Sequence, residues 1–159
     1  MIMIKKLTLL LLLLFPCLGY SIENKHEDYD NWEFIVYDKN INFYYVNTSL
    51  IKEKKGLLTY AELTDYPIDF EDKGEMSHIS LVVADCENKN ISLYKRFFFK
   101  QRGGKGEIIR SLKPQPEWMD VSTPNTVGNF IISFVCEFNS MTKKFDKIKK
   151  QLNRTREDV

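Results

Sequence analysis

The sequence has few histidine and cysteine residues that could ligate a metal ion and almost no net charge that could attract a charged partner. Its only two histidines, His26 and His78, are far apart and have no cysteine or histidine at ligand spacing, so we expect no metal site. It also lacks a charge excess: the formal net charge is +1, and loss of Lys5 and Lys6 with an N-terminal signal would bring it to about −1. Because no global field attracts nucleic acid or anionic lipid, we expect no nucleic-acid partner.

Catalytic motifs are also missing. The chain has no Gly-x-Ser-x-Gly elbow, and its glycine loop, residues 102–107, lacks the spacing and the Lys-Ser/Thr pair of a phosphate-binding loop. We expect that loop to be a hairpin connection. Asp69 and Glu71 fall in a polar, acidic stretch, where we expect both carboxylates to be solvated. The sequence therefore predicts a binding protein without catalytic residues and without a cofactor.

Residues 1–19 have the three parts of a secretory signal peptide: two lysines, an almost unbroken leucine run at 7–15, and smaller residues after it. The apolar run is too short to span a bilayer stably, so we expect no transmembrane span in the mature chain. Cleavage after Gly19 or after Ser21 would satisfy the small-residue requirement. The alternative is a lipoprotein signal with a lipidated Cys17, although large residues precede that cysteine where small ones are preferred.

The cysteine count favours one disulfide bond. Of the three cysteines, Cys17 lies in the predicted signal, which leaves Cys86 and Cys136 as an even pair in an oxidising compartment. We expect these two to be bridged. The bridge would close a loop of about 50 residues and contribute roughly 4 kcal/mol by the chain-entropy estimate.

The mature chain is rich in strand patterns. Residues 20–31 are polar and are expected to form a flexible lead-in. From Trp32 onward, aromatic and β-branched residues cluster in short runs bounded by turn residues. Asn40 is expected to take the left-handed conformation in the first hairpin, and Pro67 to lie beyond the end of the third strand, because proline cannot donate to a strand ladder. The predicted strands are 32–37, 41–46, 57–65, 77–86, 91–100 and 107–112.

Helical periodicity appears only after these strands. Apolar residues recur at three- and four-residue spacing from Val127, so we expect a helix that packs on the sheet and ends at Cys136. Its predicted buried stripe consists of Val127, Phe130, Ile131 and Phe134. The sequence thus predicts an α+β protein: an antiparallel β-sheet of about six strands with a packed C-terminal helix, one disulfide, and an appended basic helix.

The predicted strand 91–100 carries the best candidate for a binding face. Strict alternation groups Tyr94, Arg96 and Phe98, and exposed aromatic residues beside arginine are typical of binding surfaces. The alternative is that Phe98 packs under the C-terminal segment or against a partner subunit. Both interpretations remain open at the level of the sequence.

The basic helical tail, residues 139–159, presents a related alternative. Because an isolated helix of this length is marginal in water, its apolar residues need a surface, and the second face of the sheet could supply one. Its many lysines favour instead a helix that is only loosely docked and leaves part of the aromatic face for a partner. The apolar residues of the tail are Met141, Phe145, Ile148 and Leu152.

A set of landmarks spans residues 32–138. They are Trp32, Phe43-Tyr44-Tyr45-Val46-Asn47, Leu63-Thr64-Asp65-Tyr66, Asp85-Cys86, the glycine loop Gly103 to Gly106, Glu117-Trp118, Pro124-Asn125-Thr126-Val127-Gly128 and Cys136. In this order they resemble surface-adhesin protein E and its relatives, small exported domains of Gram-negative bacteria. The sequence departs from that pattern at Tyr60, where relatives often have Trp, and at Glu87, where they often have Arg.

The resemblance implies an antiparallel sheet with a C-terminal helix, a bridge between Cys86 and Cys136 and, in the adhesin that names the family, binding of host extracellular matrix or plasma proteins. We therefore expect an exported protein, located in the periplasm or on the outer cell surface, that binds a protein partner. The alternative is a periplasmic structural or envelope-assembly protein without host contact. A homodimer is compatible with either. The predicted organisation is a signal peptide at 1–19, a lead-in at 20–31, a β-rich domain at 32–138 and the tail at 139–159.

Overall fold

The computed structural model describes residues 31–70 and 74–157. The predicted signal peptide at 1–19, which includes Cys17, and residues 20–30 of the predicted lead-in lie outside these described residues. The same holds for 71–73, in the acidic stretch, and for the last two residues of the tail.

Within the described residues, seven strands form one antiparallel sheet with one long helix packed on it, which confirms the predicted α+β fold. The spatial order of the first six strands is their order in sequence. The sixth and seventh strands both pair with the fifth, one near each of its ends. The elements are β1 (Trp32–Tyr37), β2 (Phe43–Lys54), β3 (Leu57–Phe70), β4 (Glu75–Asp85), β5 (Asn90–Phe99), β6 (Ile108–Leu112), β7 (Trp118–Asp120) and α1 (Val127–Glu157).

The predicted strands match β1, β4, β5 and β6 closely, but β2 continues to Lys54, well past the predicted end at residue 46, and β3 is also longer than expected. It continues through Pro67 to Phe70, so the prediction that proline ends the strand is wrong. Two features of the pairing explain this. The β3–β4 register is irregular between Asp65 and Phe70. On the other side, β2 begins at Phe43, opposite Asp65, so this part of β3 extends past the end of β2. A proline is tolerated where no ladder bond is required. The three-residue strand β7 was not predicted.

The first hairpin turns at a different residue from the one predicted. Ile41, not Asn40, has the positive φ, at 62°. The carboxylate of Asp38 organises the turn, because its Oδ1 accepts the backbone N–H of Asn40 at 2.8 Å and that of Asn42 at 3.0 Å. Such an aspartate turn fixes the backbone through the side chain of its first residue, so the left-handed residue falls one position later than composition suggests.

The C-terminal helix begins where the sequence predicts but does not end there. The N–H of Asn129 donates to Thr126 Oγ1 at 3.2 Å, which caps the first turn. The helix then runs without a break to Glu157, so the predicted end at Cys136 and the separate second helix are wrong. No glycine or proline follows Gly128 in the sequence, and nothing else there interrupts the backbone hydrogen bonds.

The core lies between α1 and one face of the sheet. Ile131, Ile132 and Val135 are at most 2% exposed and pack against Val46, Leu58, Tyr60, Val82 and Ala84. Phe130, which was predicted to be buried, is 44% exposed, whereas Ile132 was not predicted. Gly128 and Cys136, four residues before and after Ile132, are both held close to their neighbours. A Cβ on Gly128 would lie 2.8 Å from Val121 Cγ1, and Cys136 is bonded to Cys86. These two contacts rotate the helix so that Ile132 faces the sheet.

A disulfide bond joins Cys86 to Cys136, as predicted. Their Cα atoms are 5.8 Å apart, and the two residues are separated by 50 positions in sequence. Cys86 directly follows β4 and Cys136 lies within α1. The bond therefore fastens the helix to the end of a central strand.

The outer half of α1, from residue 139 to 157, projects beyond the sheet, and we refer to it as the projecting half. Its last described contacts with the sheet involve Glu53, at the end of β2, whose carboxylate accepts a bond from Asn139 Nδ2 at 2.6 Å and pairs with Lys143 Nζ at 2.5 Å. Met141, Phe145, Ile148 and Leu152 are 45 to 72% exposed. The tail is therefore helical but does not lie across the sheet, in agreement with the loosely docked alternative.

Candidate functional site

The two faces of the sheet differ in what covers them. One face, the helix face, carries Val82 and Ala84 of β4 under α1. The other, the open face, carries the alternate residues Leu81 and Val83. Both faces of this strand are apolar, a pattern that is typical of a strand covered on both sides. The open face is instead partly accessible, because Leu81 and Val83 remain half-buried.

A groove of ≈ 330 Å³ lies on the open face. Its walls are mostly apolar, with one charged residue at the rim. Leu50 is 44% exposed and Tyr94 is 56% exposed, so both present apolar area to solvent. The side chains that line it from the open face include Leu50, Lys52, Thr59, Leu81, Val83 and Tyr94.

Two irregularities in strand pairing place side chains at this groove. In the β4–β5 ladder, Leu81 pairs with Lys95 and Val82 with Leu93, so Tyr94 is an extra residue in a bulge. The β2–β3 register also shifts, between Asn47 and Lys52, which is the stretch that contains Leu50. Bulges bend a strand and redirect its side chains, and these two supply opposite walls of the groove.

The apolar surface continues toward the edge of the sheet. Ser92 pairs with Val83 on one side and with Trp118 of β7 on the other, so Trp118 shares the open face. Trp118 is 50% exposed. Lys95 lies on the same face, and its Nζ stands 4.5 Å from the centre of the Phe97 ring. The open face therefore combines exposed aromatic and aliphatic groups with cationic side chains.

The three residues predicted to form a binding face do not lie together. Phe98 is 3% exposed and belongs to the helix face, where it pairs with His78. Arg96 is half-buried on that same face and donates from Nε to Ser80 Oγ at 2.9 Å. Tyr94 alone reaches the groove. Grouping them by strict alternation was wrong because the bulge at Tyr94 adds one residue to the strand.

The far end of the helix face holds a buried polar cluster instead of a binding surface. The Phe98 ring lies between His78, at 5.5 Å between ring centres, and the Arg110 guanidinium, 3.5 Å from its centre. Arg110 forms a two-bond ion pair with the fully buried Glu75. The Tyr66 hydroxyl lies 2.5 Å from His78 Nδ1. His78 is thus part of the interior, although a lone histidine in a strand is more often a surface residue.

Two groups of this region titrate far from their usual range. Burial, together with the positive charges of Arg96 and Arg110, lowers the pKa of His78 to about 3, so its imidazole is neutral at physiological pH. Burial raises the pKa of Glu62 to about 7, an effect that Arg96 partly offsets. Both groups lie on the helix face, away from the groove. We therefore assign them to the interior of the fold rather than to the site.

The glycine loop closes one end of the open face. It links β5 to β6, which are antiparallel neighbours, so the predicted hairpin connection is confirmed. The N–H of Gly103 donates to Asp65 Oδ1 at 2.7 Å, and the N–H of Gly104 donates to Ser77 Oγ at 3.1 Å. Gly104 has φ +66°, and a Cβ there would lie 2.5 Å from Ile79 Cδ1. Glycine is required because the loop packs directly on the sheet.

The sequence did not identify Leu50 or the groove itself. Leu81 and Val83 were visible as an apolar alternation, but alternation alone does not reveal whether a face is covered. Leu50 and Tyr94 depend on register shifts that no local pattern signals. Among residues 31–70 and 74–157, no group of three or more His, Cys, Asp or Glu side chains is placed to hold a metal ion. In the same residues, no helix is both long and apolar enough to cross a membrane.

Comparison with known proteins agrees with this fold. The family model of surface-adhesin protein E matches residues 32–137. The chain is similar to crystal form II of Haemophilus influenzae protein E, with 17% identity and a TM-score of 0.51 over 68% of this chain and 88% of that one. The selenomethionine form of the same protein has 18% identity to the chain and a TM-score of 0.51, over 68% of this chain and 87% of that one. No curated protein matches the chain. Since the family model covers most of the described residues, the chain belongs to the surface-adhesin protein E family.

Proposed function

We propose that this protein is an exported surface adhesin that binds a protein partner through the groove on its open face. Membership of an adhesin family, rather than an enzyme family, supports the binding role. The observation that carries the proposal is the groove itself, with Tyr94 at 56% exposure beside Leu50, Leu81 and Val83. Aromatic side chains over an apolar pocket are the usual centre of a protein-binding surface.

The size of the groove favours a protein ligand over a small molecule. Its volume of ≈ 330 Å³ is at the lower end for small-molecule sites, which also enclose most of their ligand. A groove of this size accepts one or two apolar side chains that project from a larger partner. Lys52 and Lys95 on the same face would then contact acidic groups around them. By the resemblance to the named adhesin, we propose that the partner is a host extracellular matrix or plasma protein.

Tyr94→Ala tests the proposal. The side chain is exposed, so its loss should leave the fold intact, and we expect the Kd for an immobilised host matrix or plasma protein to rise about tenfold or more, as for a central aromatic contact. Phe145→Ala is the matched control, because Phe145 is an aromatic residue on α1 that is even more exposed than Tyr94, at 72%. Equal binding by wild type and Tyr94→Ala, in proteins with the same melting temperature, would refute the groove as the site.

A periplasmic structural or envelope-assembly role without host contact is the competing function. The two differ in location: protease treatment of intact cells should remove an adhesin and spare a periplasmic protein. We further propose that binding belongs to residues 32–138 and that 139–159 acts separately. Export by cleavage of 1–19, with lipidation of Cys17 as the alternative, stays a prediction that N-terminal sequencing and mass spectrometry of the exported protein would test.

A further inference from the structure

One side of α1 is apolar and exposed along its projecting half. The residues recur at intervals of four, three and four, which places them on one side of a helix. They are Met141 at 45% exposure, Phe145 at 72%, Ile148 at 51% and Leu152 at 64%, and we refer to them as the apolar stripe. The same side continues inward through Phe138 and Phe134 to Phe130, which is 44% exposed. The stripe is therefore a continuous feature of the helix rather than a scatter of single residues.

The rest of the projecting half is strongly basic. Six basic residues and one acidic residue, Asp146, fall between 139 and 155. Because the whole chain has a net charge of only +1, this positive charge is a local concentration. Lys144 and Lys149 flank the stripe on either side, and the others lie on the opposite side of the helix. The six are Lys143, Lys144, Lys147, Lys149, Lys150 and Arg154.

The stripe points away from the sheet. Ile132 and Val135 mark the side of the helix that is buried against the sheet. Further along, Asn139 and Lys143 continue that side and contact Glu53. The stripe occupies another side of the helix and extends over about 16 Å from its first to its last residue. A flat surface can therefore approach the stripe while the sheet remains on the other side of the helix.

We propose that the projecting half of α1 binds a bilayer surface rich in anionic phospholipid. In this arrangement the helix lies parallel to the surface, with the apolar stripe inserted at the boundary between headgroups and acyl chains. The ammonium groups of Lys144 and Lys149 reach the phosphates from the two flanks, while their methylene chains extend along the apolar region. Of the remaining basic residues, Lys143 is paired with Glu53, and Lys147, Lys150 and Arg154 add to the attraction toward an anionic surface. The helix lies on the membrane and does not cross it.

Charge argues against a second copy of the chain as the occupant of the stripe. If two helices paired through their stripes in parallel, Lys144 of one would face Lys149 of the other, where coiled coils place opposite charges. Asp146, the one acidic residue between 139 and 155, does not flank the stripe and offers no compensation. A surface of phosphate groups neutralises these lysines, whereas a second identical helix repels them.

Vesicle co-sedimentation of the exported protein tests the proposal. We expect binding to vesicles of equal parts phosphatidylglycerol and phosphatidylcholine, little binding to phosphatidylcholine alone, and a marked loss when salt is raised from about 0.1 to about 0.5 M. The double variant Phe145→Ser/Leu152→Ser should weaken binding about tenfold or more, because it removes the two most exposed residues of the stripe. Lys144→Gln/Lys149→Gln should weaken it about fivefold or more on anionic vesicles alone.

Two controls separate this surface from the rest of the molecule. Tyr37→Ser removes an aromatic side chain of similar exposure, 64%, from β1 and should leave vesicle binding unchanged. Tyr94→Ala should also leave it unchanged, so failure of the groove and failure of the lipid surface are distinguishable. Melting temperatures of all variants should lie close to that of wild type.

Three results would overturn the inference. The first is the absence of binding to anionic vesicles by the folded wild-type protein. The second is equal binding by wild type and Phe145→Ser/Leu152→Ser. The third is concentration-dependent self-association without lipid that Phe145→Ser/Leu152→Ser abolishes, since the stripe would then be occupied by a second copy.

Discussion

Removal of the Cys86–Cys136 bond should destabilise the protein by about 4 kcal/mol. The bond closes a loop of 50 residues, and the chain-entropy relation gives this magnitude for a loop of that length. Ile132 and Val135 pack on the sheet through apolar contacts of their own, so we expect the variant still to fold at 25 °C. We choose Cys86→Ala/Cys136→Ala because a single substitution would leave a reactive thiol. Since roughly 4 kcal/mol corresponds to a shift on the order of 10 to 20 °C at this size, the melting temperature should fall by that amount.

Urea unfolding followed by far-UV circular dichroism measures the effect. The variant should show a lower free energy of unfolding together with a larger m-value, because an unfolded chain without the cross-link exposes more surface. Wild type unfolded in the presence of a thiol reductant is the matched control and should behave as the variant does. A loss below about 1 kcal/mol, or an unchanged m-value, would show that the bond does not constrain the unfolded chain as the loop-closure argument requires.

The other predictions concern the core and the buried titratable groups. Ile132→Ala should cost about 2 to 5 kcal/mol in urea unfolding, whereas Phe130→Ala, at 44% exposure, should cost under about 1 kcal/mol; the reverse order would mean that the helix is rotated differently. The raised pKa of Glu62 disfavours folding as pH rises from about 4.5 to about 7, and the lowered pKa of His78 favours folding as pH rises from about 3 to about 6.5. The two trends oppose each other between about pH 4.5 and 6.5. The free energy of unfolding of Glu62→Gln, relative to that of wild type, should therefore increase by up to about 1.4 kcal/mol per pH unit in that window. Parallel curves of unfolding free energy against pH for the two proteins would contradict this.

The sequence predicted those parts of the fold that depend on local pattern. β1 has the predicted bounds, β4 and β5 differ from prediction by one or two residues at each end, and α1 begins where periodicity begins. The disulfide followed from redox compartment and cysteine parity. The errors arose where tertiary contacts decide. Pro67 is accommodated because β3 extends past the end of β2, and Ile132 replaces Phe130 in the core because Gly128 and Cys136 fix the rotation of the helix.

The candidate site was harder to predict because it depends on register. Strict alternation grouped Tyr94 with Arg96 and Phe98, but one extra residue at a bulge moves Tyr94 to the other face. Phe98 then belongs to an interior cluster with His78 and Arg110, whereas Arg96 is half-buried on the same face and bonds Ser80. Aromatic composition pointed to strand β5, which contributes Tyr94 to the groove. It could not indicate which of its side chains meet solvent, because that is set by pairing with β4.

The two proposed surfaces lie on opposite sides of the molecule, and this makes their roles compatible. α1 packs on the helix face with its apolar stripe pointing away from the sheet, whereas the groove opens on the other face. When the stripe lies on a bilayer, the sheet stands between the lipid and the groove, and Tyr94 and Trp118 face away from the membrane. A partner then reaches the groove without competing with lipid. The exported protein bound to anionic vesicles should therefore bind its protein partner as tightly as in solution. A large loss of partner binding on vesicles would show that the two surfaces overlap.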